Sequence, residues 1–504
     1  MAHDRSSRAA ARGDPPANPW EARYEAGLKQ LLAGAPSSQW ADVASVASTA
    51  LDAAGALDKA IAELDFALSS CDDNQEAVAF LATEKVPLLV AMEEFEAAER
   101  AMLTAERSVA RGVGGRTIVR VSAYRTLFGM LMLAPELEDE AIGAVGRLRD
   151  VGLEPTSRLL LSWLVPYIAS QGHIDRVRPI VRSLSTTAAV DRHPWRADDA
   201  KAFELAIQVA HGAEGGVHDL DSDNWLAHAR VRVLALWSSL QRRPTDGIDE
   251  RAALLAGIAE GLPRNFRSYV DAISALVSTA ETGLAGKTPE FRAPSLVNLS
   301  AILASCEADA LAPGEPTTSV PWAESQLLPR ARTSLEWPTS TDRVVALLML
   351  RAGEFGRAGE LMESAISFAS VGGYPIESAV ARLQLTEIIA QTDRHPRIED
   401  WEPPRSEAWG DLQRRGVPPA PHAYQVSQVL ARRRSRPVQE ILTPRESQVL
   451  DSLARGLTYR AVADELGIGS RTVQTHAIAI YAKLGVHSRL DALRLLDRLG
   501  TSEG

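Results

Sequence analysis

The sequence predicts an all-α protein in which a long array of paired helices, an α-solenoid, precedes a C-terminal four-helix domain. Apolar residues make up 45% of the 504 residues and aromatic residues only 5%, which is typical of a helical protein rich in Ala and Leu. Alternating runs rich in Val, Ile and Thr, which would indicate strands, are scarce. Apolar residues recur instead at helical spacing, and a chain of this length needs several domains or an extended repeat.

The N-terminus and the cysteine content indicate a cytoplasmic protein. Residues 1–19 are polar, contain Arg and Pro, and lack the apolar core of a signal peptide, so we expect a disordered tail there. Cys71 and Cys306 are the only cysteines, which excludes a disulfide framework and a cysteine zinc site and indicates a reducing compartment. No run approaches the roughly 18 apolar residues of a membrane span.

From residue 20 to residue 394 the pattern predicts helix after helix, and a weak motif opens several of them. In each copy a large apolar residue is followed three positions later by a smaller one. The copies are Leu57 with Ala60, Phe95 with Ala98, Ile174 with Val177 and Phe355 with Ala358, and a degenerate copy lies at Leu137–Ala141. Helix pairs repeating at about this period stack into a solenoid, because one pair cannot bury its apolar face alone.

The segment from Leu348 to Ile389 resembles a tetratricopeptide unit. Elsewhere the consensus is incomplete, so the resemblance supports a tetratricopeptide-like region at residues 20–394. We expect this region to act as a sensor or interaction region. An irregular helical array without true repeats is the alternative interpretation.

Residues 395–440 are rich in Pro, Arg and Trp and are predicted to form a linker, with short helices possible at 406–415 and 424–433. The chain has a net charge of −11, but residues 426–504 contain 12 Lys and Arg against 8 Asp and Glu, a balance of +4. The remainder then carries −15, so the C-terminal part is the better place for a polyanionic partner. The basic run Arg432–Arg436 can contact phosphates or be a solvated linker.

The four-helix domain is predicted at residues 441–504, and its first helix begins at a capping box. Thr443 occupies the N-cap position, Pro444 the first helical position, and Glu446 falls three residues after the cap. The hydroxyl and the carboxylate then each accept a hydrogen bond from a backbone N–H that has no helical partner. The apolar residues that follow at helical spacing are Val449, Leu450 and Leu453.

A helix-turn-helix comes after this first helix. Thr458 can cap a second helix over residues 459–466, and Gly467–Gly469 form a tight turn. A third helix is predicted over residues 470–484 and a fourth from about Arg489. The inward residues of the third helix are Val473, Ala477, Ile480 and Leu484. In a helix-turn-helix the helix after the turn, here the third helix, can lie in the major groove of DNA with its polar outer stripe toward the bases.

These spaced residues, from Thr443 to Leu484, resemble the LuxR-type DNA-binding domain over about the last 60 residues of the chain. The resemblance implies that the third helix enters the major groove and that the last helix mediates dimerisation. The residues it implies for DNA contact are Thr458, Arg460, Arg471, Thr472, Gln474, Thr475, Ile478 and Lys483. Those it implies for dimerisation are Leu490, Leu493 and Leu496.

The outer stripe of the third helix departs from the family in its chemistry. Gln474 can pair bidentately with adenine, whereas Ile478 can only touch a thymine methyl group or exclude water. The family commonly has basic or polar residues at the positions of Ile478, Ala479 and Ala482. Fewer charges release fewer counterions, so we expect weak DNA binding by the isolated domain and a need for dimerisation.

The sequence therefore predicts a bacterial transcriptional regulator that binds double-stranded DNA as a homodimer in the cytoplasm, associated with the nucleoid. The large regulators of this family place a nucleotide-binding ATPase before a helical-repeat region and the DNA-binding domain, and this chain resembles only the last two of these parts. An unknown protein, peptide or small-molecule effector on the helical repeats would then control the protein. The alternative is an interaction scaffold whose helix-turn-helix serves dimerisation and not DNA binding.

No motif predicts an enzyme, a metal site or a cofactor. Residues 283–288 are similar to a phosphate-binding loop, but Glu281 stands where its first glycine is needed. Residues 219–230 begin like a calcium loop, but Asn224 replaces the turn glycine and Arg230 replaces the bidentate acid. Both segments are interpreted as ordinary polar segments.

Overall fold

The structure is a computed structural model that describes residues 56–71, 74–188, 195–213, 225–242, 248–261, 267–282, 291, 293–312, 318, 320–392, 398–434, 443–454 and 457–484. Every regular element in these ranges is a helix, which confirms the predicted all-α class. The predicted tail at residues 1–19 lies outside them. Within the same ranges, no helix combines the length and the apolar character needed to cross a membrane.

The first eight helices form a stack of helix pairs. Each helix packs on the next, and the second, fourth, sixth and eighth helices also pack on one another in turn. These contacts make the even-numbered helices one row of a solenoid and the odd-numbered helices the other. The helices are α1 (Leu57–Ser69), α2 (Gln75–Ala91), α3 (Phe95–Ala110), α4 (Gly115–Leu131), α5 (Glu138–Asp150), α6 (Glu154–Ser170), α7 (Ile174–Ala188) and α8 (Trp195–Ala210).

Within the first eight helices, the recurring sequence motif lies at the start of the odd-numbered ones. Leu57 and Ala60 open α1, Ile174 and Val177 open α7, and all four side chains are buried. Helix α7 follows Gly172, whose φ of +95° lies in the left-handed region that glycine adopts without steric cost. The motif therefore marks where a new helix turns its apolar stripe onto the preceding one.

The second half of the helical region contains two helices that are buried on all sides. Every residue of α12 is buried, and so is every residue of α13 except the last. Helix α13 packs on α12 and on the helix that follows it. The helices of this half are α9 (Trp225–Arg242), α10 (Ile248–Gly261), α11 (Arg267–Thr282), α12 (Leu299–Leu311), α13 (Thr341–Ala352), α14 (Phe355–Val371) and α15 (Pro375–Thr392), and a short helical turn lies at Val320–Trp322 and Ala323–Leu327.

Buried charges in these helices are compensated by ion pairs. Arg343 of α13 lies with Nη2 at 3.3 Å from Glu307 Oε1 of α12 and with Nε at 2.7 Å from Glu377 Oε1 of α15. All three side chains are at most 4% exposed, so each would be costly without its partners. These pairs hold α12, α13 and α15 together.

A segment without regular structure, residues 331–340, lies inside the helical region and is called the strap. All its residues except Arg332 are buried. The backbone N–H groups of Arg332 and Thr333 donate to the carbonyl oxygen of Ser170 at the end of α6, at 2.7 and 3.3 Å. The indole of Trp237 in α9 donates to Thr339 Oγ1 at 3.0 Å. The strap thus joins helices that are far apart in the chain.

An ion-pair network also fastens the strap. Arg230 of α9 lies 3.0 Å from Glu336 of the strap and 3.0 Å from Asp199 of α8, and all three are buried. The guanidinium also lies over the ring of Phe203, 4.8 Å from its centroid. Arg230, which stands where a calcium loop would have an acid, is therefore part of the core.

The segment predicted as a linker contains two helices, α16 (Ile398–Arg414) and α17 (Pro419–Arg434). This differs from the expectation of a linker with short helices. Leu412 of α16 and Val426 of α17 are fully buried, and α17 packs on α12, α13 and α15. Burial of these apolar faces outweighs the low helix propensity of a segment with Pro403 inside α16. The helical region therefore extends to Arg434.

The C-terminal part forms three helices, α18 (Pro444–Ala454), α19 (Tyr459–Leu466) and α20 (Ser470–Leu484). Each packs on the other two. The bounds of α19 and α20 are those predicted from the sequence, and the predicted fourth helix from Arg489 lies outside the described residues. The three helices enclose a separate apolar cluster of Val449, Leu450, Leu453, Val462, Ala463, Val473, Ala477 and Ile480.

Candidate nucleic-acid interface

The first helix of the candidate interface begins at the predicted capping box, which the geometry confirms. The backbone N–H of Thr443 donates to Glu446 Oε2 at 2.7 Å, and the backbone N–H of Glu446 donates to Thr443 Oγ1 at 3.3 Å. Glu446 is buried, so its carboxylate depends on such bonds. The box fixes where the chain enters α18, the helix on which the other two pack.

The second helix and the turn after it are held by local bonds. The N-cap residue Thr458 accepts a hydrogen bond from the backbone N–H of Ala461 at 3.3 Å. Gly467 ends α19 in the left-handed conformation, with φ +65° and ψ 35°. The next N–H, of Ile468, donates to Ala463 O at 3.0 Å. This closes α19 with a glycine cap and turns the chain toward α20.

An arginine outside the predicted contact residues ties this turn to α18. Arg445 Nη2 donates to the carbonyl oxygen of Leu466 at 2.6 Å, and its Nη1 donates to Gln448 Oε1 at 2.9 Å. Cations near a helix C-terminus are favourable because the last carbonyl groups lack helical partners. No local pattern predicts this bond, because Leu466 lies 21 residues further along the chain.

The third helix, α20, divides into a buried face and an exposed face. Val473, Ala477 and Ile480 are completely buried against α18 and α19. Gly469 precedes the helix, and its carbonyl accepts from the N–H of Val473 at 3.1 Å. The exposed residues of α20 include Arg471, Thr472, Gln474, Thr475 and Ile478, all of which are predicted to contact DNA. The structure thus brings these five predicted residues onto one helix.

The hydrogen-bonding capacity of the exposed face is uneven. Thr475 Oγ1 donates to the carbonyl of Arg471 at 3.0 Å, so its proton is used within the helix while its oxygen can still accept. Ile478 is 63% exposed and has no polar group. Helix α20 contains no Asp or Glu, so nothing on it repels phosphate.

The remaining predicted residues fall at the margin of the interface or beyond it. Thr458 and Arg460 are exposed at the start of α19. Lys483 lies on α20, but its side chain is not among the described ones. Leu490, Leu493 and Leu496, predicted for dimerisation, lie outside the described residues.

The helical region contains polar atoms without partners at the junction of the strap and α13. In the part of the chain that the structure describes, Trp337 Nε1, Ser340 Oγ and Thr341 Oγ1 are buried and have no hydrogen-bond partner. Within that same part, no group of three or more His, Cys, Asp and Glu could hold a metal ion. The segment 283–288, similar to a phosphate loop, lies outside it.

Comparison with known proteins identifies the C-terminal part. A family model for bacterial regulatory proteins of the luxR family matches residues 440–496. The chain is 42% identical over 72 residues to the probable transcriptional regulatory protein NarL of Mycobacterium tuberculosis, which covers 13% of this chain and 33% of that protein. It is 41% identical over 59 residues to the transcriptional regulatory protein YdfI of Bacillus subtilis, which covers 12% of this chain and 28% of that protein.

A further relative is the probable HTH-type transcriptional regulator GfsR of Streptomyces halstedii, 42% identical over 52 residues, which cover 10% of this chain and 21% of that protein. The chain thus spans a third or less of the length of these three relatives. No solved structure matches the chain. Residues 440–496 therefore carry a LuxR-type helix-turn-helix domain.

Proposed function

We propose, starting from the LuxR-type helix-turn-helix at residues 440–496, that the protein is a sequence-specific DNA-binding transcriptional regulator of bacteria. The observation that carries the proposal is the division of α20, which buries Val473, Ala477 and Ile480 and exposes a stripe without acidic residues. A helix with one exposed face can enter a major groove while α18 and α19 pack on its buried face.

The side chains of the stripe have separate roles in this proposal. Gln474 reads a base edge, because its amide offers both the donor and the acceptor that adenine needs. Arg471, Lys483 and Arg460 contact phosphates, which position the helix without reading sequence. Thr458, Thr472 and Thr475 supply further polar contacts at the margins of the groove.

Dimerisation and control by an effector complete the proposal. The protein binds DNA as a homodimer through Leu490, Leu493 and Leu496, in the cytoplasm, and has no enzymatic activity of its own. The helical region before the DNA-binding domain is tetratricopeptide-like and binds a protein, peptide or small-molecule effector.

The domain division follows from this assignment. A tail at residues 1–19 precedes the helical region from residue 20, which continues through α17. A short connection then leads to the DNA-binding domain at residues 441–504.

The test is titration of DNA with the full chain at several salt concentrations, on a site mapped genome-wide and on a scrambled site. Gln474→Ala is expected to lose about 1–3 kcal/mol on the mapped site and little on the scrambled one. Lys483→Ala is expected to weaken both and to reduce the salt slope by about one ion. Lys59→Ala, which removes an exposed lysine of α1 outside the DNA-binding domain, is the control and should match the wild type.

One observation favours the alternative of a scaffold. An apolar side chain as exposed as Ile478 also suits a contact with another protein copy. If the wild type binds the two DNAs equally and both variants match it, the helix-turn-helix serves protein association and the regulator proposal fails.

A further inference from the structure

Ile478 is an apolar side chain on the exposed stripe of α20 that also carries Arg471 and Gln474. It is 63% exposed, and among the described residues of α18, α19 and α20 it is the only large apolar side chain exposed to this extent. It lies on the same stripe as Gln474 and Arg471, one and two helical turns away. A single exposed apolar side chain is common on protein surfaces, so the significance of Ile478 depends on the stripe in which it lies.

The surroundings of Ile478 fit DNA better than an apolar protein surface. Arg471 and Gln474 precede it on the stripe and both are exposed, and α20 carries no carboxylate. In the major groove, the one apolar group on any base edge is the C5-methyl group of thymine. A 5-methylcytosine places the same methyl group at the same position of its ring. An isoleucine in this groove therefore has one favourable partner, the C5-methyl group of a pyrimidine.

We propose that Ile478 is a specificity-determining residue that packs on a pyrimidine C5-methyl group, so that the protein reads methylated pyrimidines beside the base recognised by Gln474. This rests on the proposed DNA-binding function. The two residues lie four positions apart, about 6 Å along the helix axis. Base pairs are spaced about 3.4 Å apart. The methyl group is therefore expected one or two base pairs from the base that Gln474 contacts.

The experiment removes the methyl group from DNA without changing its base pairing. In the mapped site, each thymine in turn is replaced by deoxyuridine, and binding by the full chain is measured. Replacement at one of these positions is expected to weaken wild-type binding about threefold to fivefold, which corresponds to the free energy of burying one methyl group. Ile478→Ala is expected to bind the thymine and the deoxyuridine sites equally, because the apolar partner is gone.

A second arm uses cytosine at that same position. The wild type is expected to bind 5-methylcytosine about threefold to fivefold more tightly than cytosine, and Ile478→Ala to bind both equally. Ile142→Ala, which truncates an isoleucine of α5 that is 49% exposed, is the matched control and should retain the full response to the methyl group. Thermal unfolding of each variant checks that the fold is intact.

The outcomes separate this inference from the proposed function. A wild type that prefers the mapped site but responds to no methyl substitution overturns the inference and leaves DNA-binding regulation standing. A wild type without any preference for the mapped site overturns both. An Ile478→Ala variant that keeps the methyl response but shifts the sedimentation of the protein toward monomer assigns Ile478 to an interface between copies and overturns the inference.

Discussion

At the scale of single residues, Thr443 is expected to stabilise the start of α18. Thr443→Ala removes the acceptor of the Glu446 N–H and should cost about 1 kcal/mol. Amide hydrogen exchange of α18 in the full chain measures this, with faster exchange expected in the variant. Thr443→Ser keeps the hydroxyl and should exchange like the wild type. Equal exchange in Thr443→Ala and the wild type would show that the cap does not stabilise the helix.

His422 in α17 is a second residue whose surroundings have a measurable effect. It is buried, and its Nε2 has no hydrogen-bond partner in the described part of the chain. Burial, together with the positive charge of Arg343, lowers the pKa of His422 from 6.5 to about 4. The folded protein therefore keeps this imidazole neutral under conditions in which the unfolded chain protonates it.

Acidification should therefore destabilise the protein through His422. Between pH 6.5 and about 4 the unfolded chain binds a proton at this residue that the folded protein does not, so the free energy of unfolding falls as pH falls. The loss from pH 7 to pH 5 should be about 2 kcal/mol. Urea unfolding at both pH values measures it, and His422→Gln, which cannot titrate, should lose that much less. An identical pH dependence in the variant would contradict the assignment.

At the scale of elements, the turn between α19 and α20 depends on the conformation of one glycine. Gly467→Ala places a side chain at φ +65° and should destabilise the C-terminal domain by about 1–2 kcal/mol. Gly469→Ser is the contrasting change, because a serine at the N-cap is at least as favourable as glycine. Unfolding midpoints of both variants are compared with the wild type. An equal loss in the two variants would exclude the left-handed turn as the cause.

Elements defined by local chemistry could be predicted, whereas those defined by distant contacts could not. The bounds of α19 and α20 follow from Thr458 and the glycine turn, which act within a few residues. Helices α16 and α17 lie in a Pro-rich segment that predicts a linker, and they exist because they bury apolar faces on α15 and its neighbours. The strap and the bond from Arg445 to Leu466 likewise join positions that no local pattern connects.

The candidate interface was predictable for the same reason. Inward and outward positions of α20 follow from helical periodicity, so the burial of Val473 and the exposure of Gln474 were both expected from spacing. The role of each exposed residue on DNA remains a prediction, because it depends on the partner and not on the fold.

At the scale of the whole molecule, the helical region is expected to unfold in one transition. In an open solenoid each repeat contacts only its neighbours and segments can unfold separately. Here the strap joins α6 and α9 to α13, and Arg230 Nε of α9 lies 3.0 Å from Glu336 Oε1 of the strap. Urea unfolding followed by circular dichroism and by hydrogen exchange in α6 and in α13 should therefore give coincident midpoints. Clearly separate midpoints for the two helices would refute this coupling.

The strap also bears on how this protein can change length during evolution or by design. Open repeat arrays gain or lose units easily, because each interface resembles the next. Here Gln171, just after α6, donates to the carbonyl of Arg330, just before the strap, across 159 residues of chain at 3.0 Å. Adding or deleting one helix pair between these two residues would move Gln171 away from Arg330 and break this hydrogen bond. The number of helices between Gln171 and Arg330 should therefore be fixed. Viable variants of different length should gain or lose helices outside this range.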